Sequence, residues 1–254
     1  MTPRVRRTVD DVARTLSTWD CVDTITILES GEDFYDPYFF VSLDVFYRGQ
    51  LPTLDQRREA LENAGAFESQ EVHPKDRFLL DGVPVRLEYK DIDRYAELVS
   101  AAFEPQGAQR DTGTYVFYRL QHCQVLFSKS DWLEQVRSRL GDLSEEFWGR
   151  VRNAAQARME HFLSDLHAAA VREENLFYLV SSAGFIRNYC AVLFAVNRRF
   201  EPSARLMEQE VLELPNKPDA FGGRFDSFLR RDPRFTPMRT YELAELMAKA
   251  AMAL

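Results

Sequence analysis

The apolar positions of this chain follow different periods on either side of residue 142. Before it, segments in which apolar and polar residues alternate are interleaved with segments of helical spacing. After it, apolar residues recur at three- and four-residue steps as far as the C-terminus. The pattern predicts an α+β domain over about 1–142, with a small mixed sheet and flanking helices. An antiparallel helical bundle is predicted over about 143–254.

The first region is predicted to alternate between strands and helices. Predicted strands are Val22 to Leu28, Phe39 to Tyr47, Arg77 to Leu80, Val83 to Lys90 and one or two within Tyr115 to Phe127. Predicted helices are Thr8 to Trp19, Thr53 to Ala64, Asp91 to Phe103 and Asp131 to Leu140. Asp81-Gly82 is a strong signal for a two-residue hairpin turn.

The second region is predicted to be helical. Its predicted helices are Phe147 to Ala170, Glu174 to Arg199, Pro218 to Arg230 and Pro237 to Ala253. Thr236-Pro237 is typical of a helix cap followed by proline at the first helical position. Arg187 lies in an apolar helix, where an ion pair with a core carboxylate is favoured over binding of an anionic substrate.

Composition excludes some classes of function. The formal net charge of −8 argues against a nucleic-acid-binding surface spread over the whole molecule. The three cysteines are far apart without CxxC spacing, which indicates a reducing compartment and no zinc site. The N-terminus lacks the apolar core of a secretory signal, and the most apolar segment, Phe185 to Val196, is too short to span a bilayer. We therefore expect a cytoplasmic protein that does not bind membranes.

Two carboxylates on predicted strands are candidates for chemistry. Asp44 lies alone in an otherwise apolar strand, and an unpaired buried carboxylate costs several kcal/mol. Glu88 lies on the polar face of a later strand, with Arg86 and Lys90. If the two strands are neighbours, both carboxylates can converge on one magnesium ion. The turn at Ser30-Gly31 could offer backbone N–H groups and a hydroxyl to a phosphate.

The order of these features resembles the polymerase-β-type nucleotidyltransferase superfamily. Ser30-Gly31 stands where that family has its Gly-Ser turn, and Ser42-Leu43-Asp44 stands where it has Asp-x-Asp. Glu88, in VRLEYK, stands near the third acid. The segment Tyr118 to Val136 and the helical second region look like the kanamycin-nucleotidyltransferase-like branch, so the resemblance covers most of the chain.

The resemblance implies a magnesium-dependent reaction with ATP or another nucleoside triphosphate. A nucleoside monophosphate would be transferred to a hydroxyl of a small molecule or a protein. Asp44 and Glu88 would be catalytic and hold magnesium, while Ser30, Gly31 and Ser42 would contact the nucleotide. The helical domain would present the acceptor, with the site in the cleft between the domains. Ser42 departs from the family's first acid, and Asp33 or Asp36 from the preceding loop could supply the missing charge.

Other interpretations of the same residues stay open. The chain could be a catalytically inert module of this fold that binds a nucleotide or a partner chain, or a toxin–antitoxin-type transferase acting on a protein. Asp44 could be an edge-strand acid in solvent or paired with an arginine, and Glu88 part of a solvated charged face. Ser30-Gly31 could be an ordinary turn. Lys75, Asp76 and Arg77 are interpreted as a charged loop rather than a phosphate contact.

Overall fold

The structure is a computed structural model, and it describes residues 1–28, 40–61, 63–70, 74–104, 113–230 and 235–254. The chain divides into two compact units. The sheet unit comprises residues 1–101 and 119–142, and the helical unit comprises residues 102–118 and 143–254. The helical unit thus combines two separate segments of the chain.

The sheet unit is built on a six-stranded mixed sheet. Its strands are β1 (Val22–Ile27), β2 (Val41–Tyr47), β3 (Gly65–Gln70), β4 (Lys75–Leu80), β5 (Val83–Asp91) and β6 (Gln124–Ser128). Their order in the sheet is β3-β4-β5-β2-β1-β6. β2 and β5 pair in parallel, whereas the other neighbours are antiparallel. The predicted α+β class with a mixed sheet is therefore confirmed.

Within the described residues, five helices accompany the strands in the sequence. They are α1 (Pro3–Ser17), α2 (Leu54–Ala60), α3 (Ile92–Ala102), α4 (Tyr115–His122) and α5 (Trp132–Gly141). α2 begins with a capping box, in which the Thr53 and Gln56 side chains each accept a hydrogen bond from the other residue's backbone N–H. α4 begins in the helical unit and ends in the sheet unit.

The two faces of the sheet differ in chemistry because side chains alternate along each strand. One face carries the apolar residues of β1, β2 and β5, which form a core with one side of α1. Fully buried members of this core include Leu16, Ile25, Leu43 and Leu87. The other face carries the polar residues of the same strands, among them Thr26, Asp44 and Glu88. The candidate site lies on this second face.

The turn between β4 and β5 has the predicted hairpin geometry. Both central residues have positive φ, 50° at Asp81 and 70° at Gly82. This is the conformation that a two-residue hairpin of type I′ requires, and Gly adopts it without steric cost. The Asp81 carbonyl also accepts a hydrogen bond from Arg4 Nε at 3.0 Å. The hairpin fixes the register between β4 and β5, and this register places charged residues of β4 on the polar face.

In the part of the chain that the structure describes, the helical unit packs five further helices around its own core. They are α6 (Glu145–Arg172), α7 (Asn175–Val196), α8 (Met207–Leu212), α9 (Phe221–Arg230) and α10 (Pro237–Met252). The predicted cap of α10 is confirmed, because Thr236 accepts from Arg239 N at 3.2 Å and Pro237 opens the helix. Buried residues of α6, α7, α9 and α10 form one cluster that includes Met159, Phe185 and Met247.

Some element predictions were wrong. Of the segment predicted to hold one or two strands, residues 124–127 lie in β6, whereas residues 115–122 form helix α4, with Phe117, Tyr118 and Leu120 buried. β3 and α8 were not predicted. α7 is longer than the apolar segment considered from the sequence. It is the one described helix long and apolar enough to cross a membrane by length and composition, and 61% of its most apolar window is buried.

Candidate functional site

The structure brings Asp44 and Glu88 together on the polar face of the sheet. β2 and β5 are parallel neighbours, and Asp44 is the register partner of Glu88. The flanking partners are Ser42 with Arg86 and Phe46 with Lys90. The two acids and the two cations therefore form a compact block of four charged residues on adjacent strands.

Asp44 is buried, at 2% exposure, and two cations bind its carboxylate. Arg119, from α4, donates through Nη2 to both carboxylate oxygens at 2.6 Å and through Nε to Oδ2 at 3.0 Å. Lys90 Nζ lies 2.7 Å from Oδ2. Burial lowers the pKa of Lys90, and the adjacent Asp44 carboxylate opposes that shift. Both oxygens of Asp44 are thus already occupied by positively charged donors.

Glu88 is less buried and also contacts two cations. Its Oε1 lies 3.2 Å from Arg86 Nε and 3.4 Å from Lys75 Nζ. Lys75 lies on β4, and the register between β4 and β5 places it opposite Glu88. These longer contacts on partly exposed side chains are weaker than those at Asp44.

Ser42 anchors Arg86 instead of standing free for a ligand. Its Oγ accepts hydrogen bonds from Arg86 Nε at 3.3 Å and Nη2 at 3.1 Å. The guanidinium also lies over the Phe40 ring, 4.1 Å from its centroid. Burial lowers the pKa of Arg86, and the nearby Glu88 acts in the opposite direction. Arg86 is therefore held at a fixed place on the sheet face.

Among the described residues, cations outnumber acids on this face. Arg77 is the register partner of both Arg86 and Glu68, so it lies on the same side. We call this set of residues the cationic sheet face: Lys75, Arg77, Arg86, Lys90 and Arg119, surrounding Asp44, Glu88 and Glu68. Among the residues that the structure describes, five cationic side chains stand against three carboxylates on this face, in a chain whose formal net charge is −8.

A magnesium ion fits this arrangement poorly. Magnesium demands near-octahedral geometry, with carboxylate oxygens at about 2.0–2.1 Å. Here the two candidate ligands are committed to four cations, and the described residues contain no group of three or more His, Cys, Asp or Glu able to hold a metal. Magnesium ligation by Asp44 and Glu88 stays a prediction from the resemblance, and no chemical step is derived through the ion.

The predicted phosphate turn cannot be located relative to these residues. Ser30 and Gly31 lie outside the described residues, as do Asp33 and Asp36. Of the residues assigned to nucleotide binding from the sequence, the structure therefore describes Ser42 alone.

Sequence reasoning missed the two cations bound to Asp44. Lys90 was placed on the correct strand face, since it alternates with Arg86 and Glu88, but its pairing with Asp44 depends on the register of two distant strands. Arg119 was placed in a predicted strand and is instead on α4. One signal was present: a lone acid in an apolar strand requires a counter-charge from elsewhere in the fold.

The charged segment before the hairpin was expected to be a loop, but it is part of a strand. Lys75, Asp76 and Arg77 belong to β4, and Asp76 points to the opposite face from its two neighbours. There it is fully buried, with Arg57 Nε at 3.0 Å and the Tyr89 hydroxyl at 2.7 Å. This satisfied cluster is structural, whereas Lys75 and Arg77 join the cationic sheet face.

Comparisons with known proteins assign no activity to this site. No family model and no curated protein matches the chain. Among solved structures, the chain is similar to a nucleotidyltransferase-like protein from Exiguobacterium sibiricum, at 11% identity and a TM-score of 0.49. The match covers 97% of this chain and 73% of the other. A likeness of this strength leaves the function to be argued from the site itself.

Proposed function

We propose that the chain is a catalytically inert binding module of nucleotidyltransferase-like type, which binds nucleotide phosphates directly through cationic side chains. One observation carries the proposal: the acids expected to hold magnesium are each paired with two cations on one face of the sheet. Lys90 and Arg119 supply at Asp44 the positive charge that a metal would otherwise bring. No transfer step is part of this proposal.

The charge balance supports an anionic ligand. The two partners of Asp44 more than balance its charge, and among the described residues Lys75, Arg77 and Arg86 face two carboxylates, the partly exposed Glu88 and the exposed Glu68. Guanidinium groups offer paired donors that match phosphate oxygens. Arg86 is also fixed in place by Ser42, so little conformational freedom is lost when it contacts a ligand.

Calorimetric titration with ATP in the presence of EDTA tests the proposal. We expect binding without divalent metal, and a loss of affinity on the order of tenfold for Arg86→Gln, since one charge-assisted contact is removed. The control is Lys249→Gln, which removes an exposed lysine paired with Glu245 on α10 and should leave affinity unchanged. The proposal fails if ATP binds only when magnesium is added, or if no heat is detected at millimolar ATP.

A second candidate is the magnesium-dependent nucleotidyltransferase itself, acting on a small-molecule or protein hydroxyl. It is favoured by the in-register placement of Asp44 beside Glu88. It requires that Lys90 and Arg119 leave Asp44. Binding of ATP that depends on magnesium and is lost in Asp44→Asn, together with release of pyrophosphate, would favour this candidate over the first.

A further inference from the structure

The helical unit contains a cavity of about 600 Å³ that the proposed function does not use. It is formed by residues 113 and 115, the middle of α7, the segment 201–204 with the start of α8, and the second half of α9. Its volume is in the range of about 300–1,000 Å³ found for small-molecule sites. Most of its lining is apolar, with Ile186, Met207, Phe225 and Leu229 among the walls.

One of the lining residues carries a buried carboxylate. Glu201 is 8% exposed, and its backbone N–H donates to Thr114 Oγ1 at 2.8 Å. The Thr114 backbone N–H donates in turn toward the Glu201 carboxylate. Gly113 has a φ of 64°, and a Cβ added there would lie 3.4 Å from Glu201 Oε1. The chain at residues 113–114 therefore holds this carboxylate in one orientation.

An exposed cation lines the same cavity. Arg187 projects from α7 and acts electrostatically on Glu201. The expected ion pair between Arg187 and a core carboxylate does not form: among the described residues, no acid lies within 4.0 Å of its side chain. Its neighbour Asn188 instead accepts from Arg158 Nε at 3.0 Å and donates to the Gly184 carbonyl.

Charged residues of both signs thus line one largely apolar cavity: the buried Glu201 and the exposed Glu208 carry carboxylates, and Arg187 forms no ion pair with an acid of the described residues. Burial raises the pKa of Glu201, while the positive charge of Arg187 and the Thr114 hydrogen bond oppose that shift. A buried polar group that is only partly satisfied costs free energy, which a complementary ligand can recover.

We propose that this cavity binds a small zwitterion with an apolar body, of the class of apolar α-amino acids. The ammonium group would donate to Glu201, the carboxylate would accept from Arg187, and the hydrocarbon or aromatic body would contact the apolar walls. A simple anion would leave Glu201 unmatched, and a simple cation would leave Arg187 unmatched. A ligand that carries both charges satisfies both groups.

Titration of the full chain with three related probes tests this proposal. L-phenylalanine carries both charges, phenethylamine lacks the carboxylate, and 3-phenylpropanoate lacks the ammonium group. We expect L-phenylalanine to bind at least about tenfold more tightly than either of the others, since each loses one ionic contact. Equal affinity for L-phenylalanine and one of the partial probes overturns the proposal, as does the absence of L-phenylalanine binding at millimolar concentration.

Substitutions of Arg187 and Glu201 test which residue makes each of the two ionic contacts with the ligand. Arg187→Gln and Glu201→Gln should each lower the affinity for L-phenylalanine by about tenfold, and Arg187→Gln should leave phenethylamine binding intact. The controls are Arg199→Gln and Glu213→Gln, which remove exposed charges outside the cavity lining. If Glu201→Gln does not fold, the probe series and Arg187→Gln still decide. Unchanged L-phenylalanine affinity in Arg187→Gln overturns the assignment.

Discussion

Asp44 shows how a single buried charge depends on its partners. Replacing it by asparagine would leave Lys90 and Arg119 without their shared counter-charge in a mostly buried place. We expect Asp44→Asn to lower the free energy of unfolding by about 3–5 kcal/mol, the usual effect of removing one partner from a buried ion pair. Urea denaturation measures this quantity.

The matched control for Asp44→Asn is the same replacement at Asp226. Its partner Arg230 lies one turn away on α9, and both side chains are largely exposed. Asp226→Asn should cost less than about 1 kcal/mol, because solvent screens an exposed pair. Equal effects at the two positions would contradict the structural role given to Asp44.

The raised pKa of Tyr95 predicts that the stability of the protein falls at alkaline pH. Burial, and after it the negative charge of Asp44, raises the pKa of Tyr95. The unfolded chain loses this proton at a pH of about 10, whereas the folded chain retains it. The free energy of unfolding therefore falls as the pH rises above that value, by about 1.4 kcal/mol per pH unit for this group.

Tyr95→Phe removes this ionisation and keeps the edge contact of the ring with Phe46. Its unfolding free energy, measured by urea denaturation at several alkaline pH values, should fall less steeply than that of the parent. Lys90, whose pKa is lowered, contributes a slope of opposite sign, so the comparison between parent and variant is the informative one. Parallel slopes would contradict the burial of this hydroxyl.

At the scale of elements, replacing either of two helical glycines by alanine is expected to change the stability of the protein in opposite directions. Gly184 lies on α7 where an added Cβ would overlap the Phe162 ring of α6, whereas a Cβ at Gly149 on α6 would meet nothing within 4 Å. Gly149→Ala should stabilise the protein by about 0.5–1 kcal/mol through helix propensity. Gly184→Ala should destabilise it by about 1–3 kcal/mol through overpacking.

Thermal or urea denaturation of both glycine variants measures the difference. The pair controls for the chemistry of the substitution, since each adds one methyl group within a helix. Stabilisation by Gly184→Ala would contradict the close approach of α6 to α7 at Gly184.

Elements specified by local chemistry were predictable from the sequence, and elements decided by distant contacts were not. The Asp81-Gly82 hairpin and the Thr236-Pro237 cap depend on a few adjacent residues, and both are confirmed. The aromatic segment at residues 115–118 has strand propensity, yet burial of Phe117 and Tyr118 favours a helix. The same limit applies to the site: the alternation of Glu88 and Lys90 is local, whereas the contact between Asp44 and Arg119 spans 75 residues.

At the scale of the whole molecule, the net charge of the chain differs from the local chemistry of its two candidate sites. The net charge of −8 describes neither the positive sheet face nor the apolar cavity of the helical unit. The two units also have separate hydrophobic cores, one around the sheet and one among α6, α7, α9 and α10. Ligands of different chemistry should therefore protect different parts of the chain.

Hydrogen exchange with and without each ligand measures that protection. ATP in EDTA should slow exchange in β4 and β5, around Lys75 and Arg86, because phosphate contacts fix the strands that carry these residues. L-phenylalanine should slow exchange in α7 around Arg187 and in the segment 201–207. The Arg86→Gln variant should lose the ATP effect and keep the L-phenylalanine effect, and Arg187→Gln should show the reverse. Protection of the same segments by both ligands would contradict the assignment of two sites.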